Sequence, residues 1–260
     1  MEQNRTVAPI GVFDSGLGGI SVLKRLCTEM PREDYIFFGD RANAPYGNRA
    51  EEEVLALSEA ALERLCALGC KGMVVACNTA TAAAADELRR RHPDFPIVAI
   101  EPAVKPAVEA TPGGRILLMA TPLALETERI RALAARFSHL AEITLFPCPG
   151  LVERIEAGHI HDSVMRDYLK ELFAPLTVKP DALVLGCTHY PLISAALREY
   201  FGSVALFDGG AGTARQLKRI LGAQGLLTTK DTPGSVQFLF SQSDPETEAL
   251  ARLLLNQDLL

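Results

Sequence analysis

The sequence predicts an α/β protein made of two pseudo-symmetric α/β domains whose mainly parallel sheets face a central cleft. Three observations carry that expectation. Short apolar runs rich in Val, Ile and Phe alternate with longer stretches of helical periodicity, the pattern of parallel strands covered by helices. The phrases VVACNTAT (74–81) and LVLGCTHY (183–190) repeat one arrangement, an apolar run stopped by a cysteine and followed by hydroxyl-bearing residues. A Pro-rich stretch, IEPAVKPAVEATPGG (100–114), separates the two.

In chain order, PIGVF (9–13) reads as a buried strand ending at Asp14, and the glycine turn after it leads into a helix over 19–29. YIFF (35–38) is the second strand, followed by Asp40, the turn APYG (44–47) and a helix over 50–68. MVVA (73–76) brings Cys77 to the start of a helix over 80–91, and IVAI (97–100) is the fourth strand. Beyond the Pro-rich stretch the cycle restarts. ILLM (116–119) leads to Thr121 and a helix over 125–137, ITLF (143–146) to Cys148 and a helix over 162–174, and ALVL (182–185) to Cys187 and a helix over 192–200. VALF (204–207) and a helix over 211–221 follow, then VQFLF (236–240) and a helix over 245–255.

The polar residues that end these strands are spaced almost constantly. Asp14 and Thr121 lie 107 apart, Asp40 and Cys148 108, Cys77 and Cys187 110. Three strand–turn–helix units recurring in order point to an internal duplication. LFDGG (206–210) echoes the opening VFDSG, so the tail is expected to return to the first half. The expected domains are therefore 1–98 plus 208–260, carrying Asp14 and Cys77, and 99–207, carrying Cys187. In open α/β sheets ligands sit beyond the carboxyl ends of the strands, where all these polar residues fall.

Composition narrows the classes. The 260 residues are 48% hydrophobic, enough for ample core. A net charge of −6 with dispersed Lys and Arg excludes a nucleic-acid binder. No run approaches the roughly 18 apolar residues of a membrane span, and the N-terminus lacks a signal-peptide pattern, so a cytoplasmic protein without a membrane partner is expected. In a reducing compartment the six cysteines are either buried filler or working thiols.

A cysteine between a strand end and a helix start meets free N–H groups and the helix dipole, which favour thiolate. From an unperturbed pKa of about 8.5, a modest shift leaves either protonation state accessible near neutrality. Two such groups on opposite faces of one carbon suit racemisation, removing a proton from one side and returning one to the other. Each cysteine alone is also a candidate for core packing, as are Cys66, Cys70 and Cys27; Cys148 fits either reading. Cys187-x-His189 with Cys77 could ligate zinc for a hydrolase, although the usual ligand spacings are missing. FDSGLGGIS fails as a phosphate loop because Ser21 replaces the last glycine, which weighs against a nucleotide site. Asp14 and Ser15 are expected at the cleft lip, Asp14 orienting a thiol or an ammonium group. Asp40 is a site residue or a helix cap. His189 is a relay partner for Cys187, while His92, His139, His159 and His161 read as surface.

With these segments assembled, IGVFDSGLGG, FFGDRANAPYG, VVACNTATA and LVLGCTHYPLI resemble the glutamate racemases of the aspartate/glutamate racemase superfamily. Aspartate racemases share the cysteine motifs, but DSG together with PYG favours the glutamate branch. The resemblance implies two α/β domains around a cleft, no cofactor and no metal. It implies glutamate as substrate, D-glutamate supplied to peptidoglycan, and a homodimer. Cys77 would deprotonate D-glutamate assisted by Asp14, and Cys187 L-glutamate assisted by His189; Glu156 would be the acidic residue of the second domain. Ser15, Asp40, Pro45, Tyr46, Gly47, Asn78, Thr79, Thr121 and Thr188 would join Asp14 and His189 around the substrate. Two positions depart from the family: Ala124 stands where a second threonine is frequent, and Glu153 where proline is common.

Overall fold

The computed structural model describes residues 5–242 and 245–256. Two parallel sheets organise it. The first runs in the order β4-β3-β1-β2-β9, from β1 (Ile10–Asp14), β2 (Tyr35–Gly39), β3 (Gly72–Val75), β4 (Ile97–Ala99) and β9 (Val236–Phe240). The second runs β6-β5-β7-β8, from β5 (Arg115–Ala120), β6 (Glu142–Pro147), β7 (Ala182–Leu185) and β8 (Ala205–Asp208). Every neighbouring pair is parallel. All nine expected strands occur, shifted by a residue or two. Set in register, β4-β3-β1-β2 and β8-β7-β5-β6 are the same order, so the repeat read from three strand ends extends to a fourth.

The apolar runs form strands because they are covered on both faces. β1, β2, β3 and β7 are buried along their whole length, whereas β6, β8 and β9, at sheet edges, are only partly covered. Fully burying a Val, Leu or Phe contributes about 1.5–3 kcal/mol each, so central strands tolerate no polar residue until their ends. β9 docks on β2, and α10 (Gly210–Ala223) packs on α1 (Ile20–Glu29), which brings the tail back to the first sheet. A buried ion pair pins that return: Lys71 Nζ lies 2.5 Å from Glu33 Oε2, and the other Glu33 oxygen accepts from Thr228 N at 2.7 Å.

The helices depart from expectation in four places. The Pro-rich divider holds α4 (Val104–Ala110), its Pro106 lying in the first turn where a missing N–H costs nothing. The stretch 125–137 is two helices, α5 (Pro122–Glu126) and α6 (Glu128–Phe137), because Thr127 is extended. A short helix not foreseen, α7 (Leu151–Glu156), follows Gly150, whose φ of 76° opens a left-handed turn. Residues 190–193 form a 3-10 turn before α9 (Ser194–Phe201). The others, α2 (Glu51–Ala67), α3 (Asn78–Arg91), α8 (Ser163–Phe173) and α11 (Pro245–Asn256), keep close to their expected spans. No helix among the described residues is long and apolar enough to cross a membrane.

Candidate active site

Cys77 follows β3 and caps α3; its sulfur accepts from Ala80 N at 3.4 Å and lies 3.4 Å from Ser15 Oγ. Cys187 follows β7, with its sulfur 3.7 Å from His189 Nδ1. Both thiols line one cavity of about 30 Å³, a central strand of each sheet delivering one of them. Ser15, Pro45, Tyr46, Gly47, Thr79, Thr121, Thr188 and His189, all named as site residues from the sequence, line it too. Pro45 follows a cis peptide bond. Thr79 and Thr121, from the two sheets, share a hydroxyl–hydroxyl hydrogen bond of 2.9 Å.

Four expected site residues stand back from this cavity. Asp14 is fully buried rather than at the lip, because the glycine turn folds over it; it accepts from Gly16 N at 2.8 Å and from Thr188 Oγ1 at 3.0 Å. Asp40 makes no side-chain cap bond: it accepts from Asn43 Nδ2 and, at 2.7 Å, from the hydroxyl of Tyr46, which lines the cavity. Asn78 begins α3 and borders a neighbouring cavity with Thr81 and Ala82, its amide nitrogen and oxygen both without a hydrogen-bond partner. Glu156 ends α7 and lines a second cavity, of about 240 Å³, at the mouth of the first.

Glu156 nevertheless reaches the thiols through a chain of contacts. His189 Nε2 donates to Glu156 Oε1 at 2.6 Å, and the backbone N–H of Leu17 donates to the same oxygen at 2.9 Å. The turn after β1 can approach so closely only because it is glycine. A Cβ on Gly18 would sit 2.4 Å from His189 Nδ1, and one on Gly16 would sit 2.5 Å from Glu156 Oε1.

Electrostatics divides the two sides. Burial, reinforced by the Asp14 carboxyl, pushes the Cys77 thiol up to about 12, overriding its bonds to Ser15 and Ala80. The helix start was expected to favour thiolate there; loss of solvent wins. Burial likewise raises the Asp14 carboxyl, against the opposing charge of His189. Glu156 is burdened by burial too, yet the His189 bond and charge, the Leu17 N–H and Arg41 bring it down to about 2. His189, although buried, is raised well above its ordinary value by Cys187 and Glu156. Its ring lies between a carboxylate and a sulfur, surroundings that favour its protonated form.

The remaining cysteines sort by cover. Cys70 is buried and Cys27 half-buried, but Cys66 is exposed rather than core, since it lies on the outer face of α2. Cys148, which fitted either reading, lines the thiol cavity, though burial pushes its thiol up and leaves it a wall. Among the described residues no group of three His, Cys, Asp or Glu side chains has the arrangement to hold a metal. Of the other histidines, His92 is half-buried against Glu59 and His159 meets Asp162 at 2.6 Å. Sequence reading missed Arg41, whose Nε lies 4.0 Å from Glu156 Oε2, and Asn48, which donates to Glu153 Oε1 at 3.1 Å. An arginine and an asparagine in a loop carry no sequence pattern that would have marked them.

Comparison with known proteins agrees over nearly the whole chain. Residues 11–217 match the family model described as Asp/Glu/Hydantoin racemase. The glutamate racemase of Clostridium acetobutylicum is 43% identical over 250 residues, 95% of this chain and 97% of that protein. The crystal structure of the Francisella tularensis glutamate racemase in complex with D-glutamate superposes with a TM-score of 0.84 at 26% identity, covering 98% of this chain and 96% of that one. The Thermus thermophilus glutamate racemase, solved with beta-chloro-D-alanine, gives 0.79 at 35% identity over 97% and 94%. Matched by the family model over more than three quarters of its length and by a close relative over almost all of it, this chain belongs to the Asp/Glu/Hydantoin racemase family.

Proposed function

We propose that the chain interconverts L- and D-glutamate by two-base proton transfer at Cα without a cofactor, with Cys77 and Cys187 as the acid/base pair. The observation that carries this reading is that two thiols, each at the end of a central strand of a different sheet, line one cavity. The D-glutamate bound by the Francisella relative supports the choice of substrate.

In this reading Cys187 as thiolate takes the α-proton of L-glutamate, and the opposite thiol, Cys77, gives its proton to the other face; D-glutamate runs the reverse course. The electron pair left on Cα spreads into the α-carboxylate as an enediolate-like charge. Each pKa unit between carbon acid and base costs about 1.4 kcal/mol, a gap that thiols alone do not close. Donors fixed on the α-carboxylate, drawn from the Ser15, Thr79 and Thr121 hydroxyls, stabilise the developing charge, and exclusion of water strengthens them, while Thr188, its hydroxyl hydrogen given to Asp14, walls the site. The His189 cation steadies the Cys187 thiolate and Glu156 steadies His189. Asp14, buried beneath Thr188, assists the Cys77 side, while Asn78 meets the substrate with its unpaired amide and Asp40 holds Tyr46. The thiol cavity is narrow, about 30 Å³, so entry of a five-carbon dicarboxylate is expected to need the loop 40–49 and α7 to part.

The same reading includes D-glutamate supply for peptidoglycan, a cytoplasmic homodimer, and domains of 1–98 plus 208–260 and 99–207. The test is solvent-deuterium incorporation at Cα of each enantiomer without added cofactor. The parent should label both, and Cys77→Ser and Cys187→Ser should each racemise about 10²–10⁴-fold more slowly. A parent protein that exchanges neither enantiomer sinks the reading.

A further inference from the structure

We propose that Arg41 is a positioning residue for the Cys187 side, holding Glu156 so that His189 stays fixed beside the thiol. The inference rests on the racemase reading above for its kinetic test, but not for its spectroscopic one.

The two oxygens of Glu156 have separate tasks. Oε1 accepts from His189 Nε2 and from Leu17 N. Oε2 faces the Arg41 guanidinium, with Nε 4.0 Å away. Arg41 is itself braced, since its Nη1 donates to Thr247 Oγ1, a buried hydroxyl on α11. With Oε1 alone held, a carboxylate at the end of a six-residue helix can still turn about that oxygen. The cation at Oε2 fixes the second oxygen and, with it, the plane in which Oε1 meets the imidazole.

The charge also decides where the shared proton rests. A cation nearer to Glu156 than to His189 favours the separated pair, carboxylate and imidazolium, over the neutral pair with the proton on Glu156. With the proton on Nε2, the other ring nitrogen keeps its hydrogen toward Cys187 Sγ. Arg41 borders the mouth cavity together with Pro45, Val152, Glu153 and Gln242, outside the walls of the thiol cavity. It therefore works through Glu156 and not on the substrate. Its loop also meets α7 through Asn48 and Glu153, so Arg41 takes up its position only when loop and helix are together.

The experiment compares the full chain with Arg41→Gln, Arg41→Lys and Thr247→Val. Partly exposed ion pairs contribute up to about 1 kcal/mol, so Arg41→Gln should lower kcat about fivefold with KM within about twofold of the parent. Arg41→Lys, which keeps the charge, should recover most of that loss, and Thr247→Val, which loosens the brace, should show a smaller loss of the same kind. Independently of turnover, the low-field Nε2–H proton signal of His189 should be sharp in the parent and broadened by faster water exchange in Arg41→Gln. The proposal is overturned by an unaltered His189 signal with unaltered kcat, by a rise in KM alone, or by a loss that lysine does not recover. Should Arg41→Gln fail to fold, the lysine and Thr247→Val variants carry the same test. A parent that shows the His189 signal but no racemisation defeats the racemase reading and leaves the positioning role to the spectra.

Discussion

Cys77 and Cys187 occupy matching places in the two sheets, at the ends of β3 and β7, yet their surroundings differ in kind. Cys77 is held by neutral donors, a serine hydroxyl and a backbone N–H, above a buried carboxyl that disfavours its thiolate. Cys187 faces the imidazole of His189, backed by a carboxylate that favours its protonated form and, beyond that, by a guanidinium. Duplication supplied two equivalent corners, and the loops that fill them gave one thiol a reason to keep its proton and the other a counter-charge. In the two-base reading one group must hold a proton while the other lacks one, and the two exchange these roles with the direction of turnover.

The comparison breaks first at His189. His189→Asn removes the counter-charge and should slow racemisation by about 10²–10⁴-fold, whereas Ser15→Ala, which removes only a 3.4 Å bond on the other side, should cost about two- to tenfold. Equal losses in steady-state assays would show that the two sides are supported alike. A smaller effect is expected from Gly18→Ala, which adds a methyl where His189 Nδ1 and the Thr188 hydroxyl already stand. Overpacking of about 1–3 kcal/mol should lower Tm by several degrees and activity about tenfold or more. A variant with parent-like Tm and rate would mean that the glycine turn does not press on the relay. The smallest effect sharpens the electrostatic side. Glu156 is depressed in the folded protein, so its contribution to stability is present above its ordinary value near 4.5 and is lost as pH falls toward about 2. Melting curves of Glu156→Gln should therefore lose less Tm than the parent across that window.

The strands and the two thiols were legible because they obey local rules. A strand covered on both faces must be apolar until it ends, and its first polar residue marks the sheet's carboxyl edge, as Asp14, Cys77, Thr121 and Cys187 do. The helices around the site were less legible. Nothing local announces that Thr127 breaks one helix into two, or that six residues after Gly150 form a helix presenting Glu156. Asp14 was misplaced for the same reason: a sequence gives a residue's position along a strand, while its exposure depends on how a turn folds over it. Arg41 was invisible because its contacts lie 115 and 206 positions away.

The placement of β9 has a consequence for biosynthesis. As the nascent chain leaves the ribosome, β1 to β4 can pair early, and the second sheet can follow complete. The outer edge of β2 stays unpaired until residues 236–240 emerge, after every other strand of both sheets has been made. An open parallel edge left waiting that long is a template for other strands. Truncations ahead of residue 236 should therefore collect in aggregates rather than accumulate as a working first half.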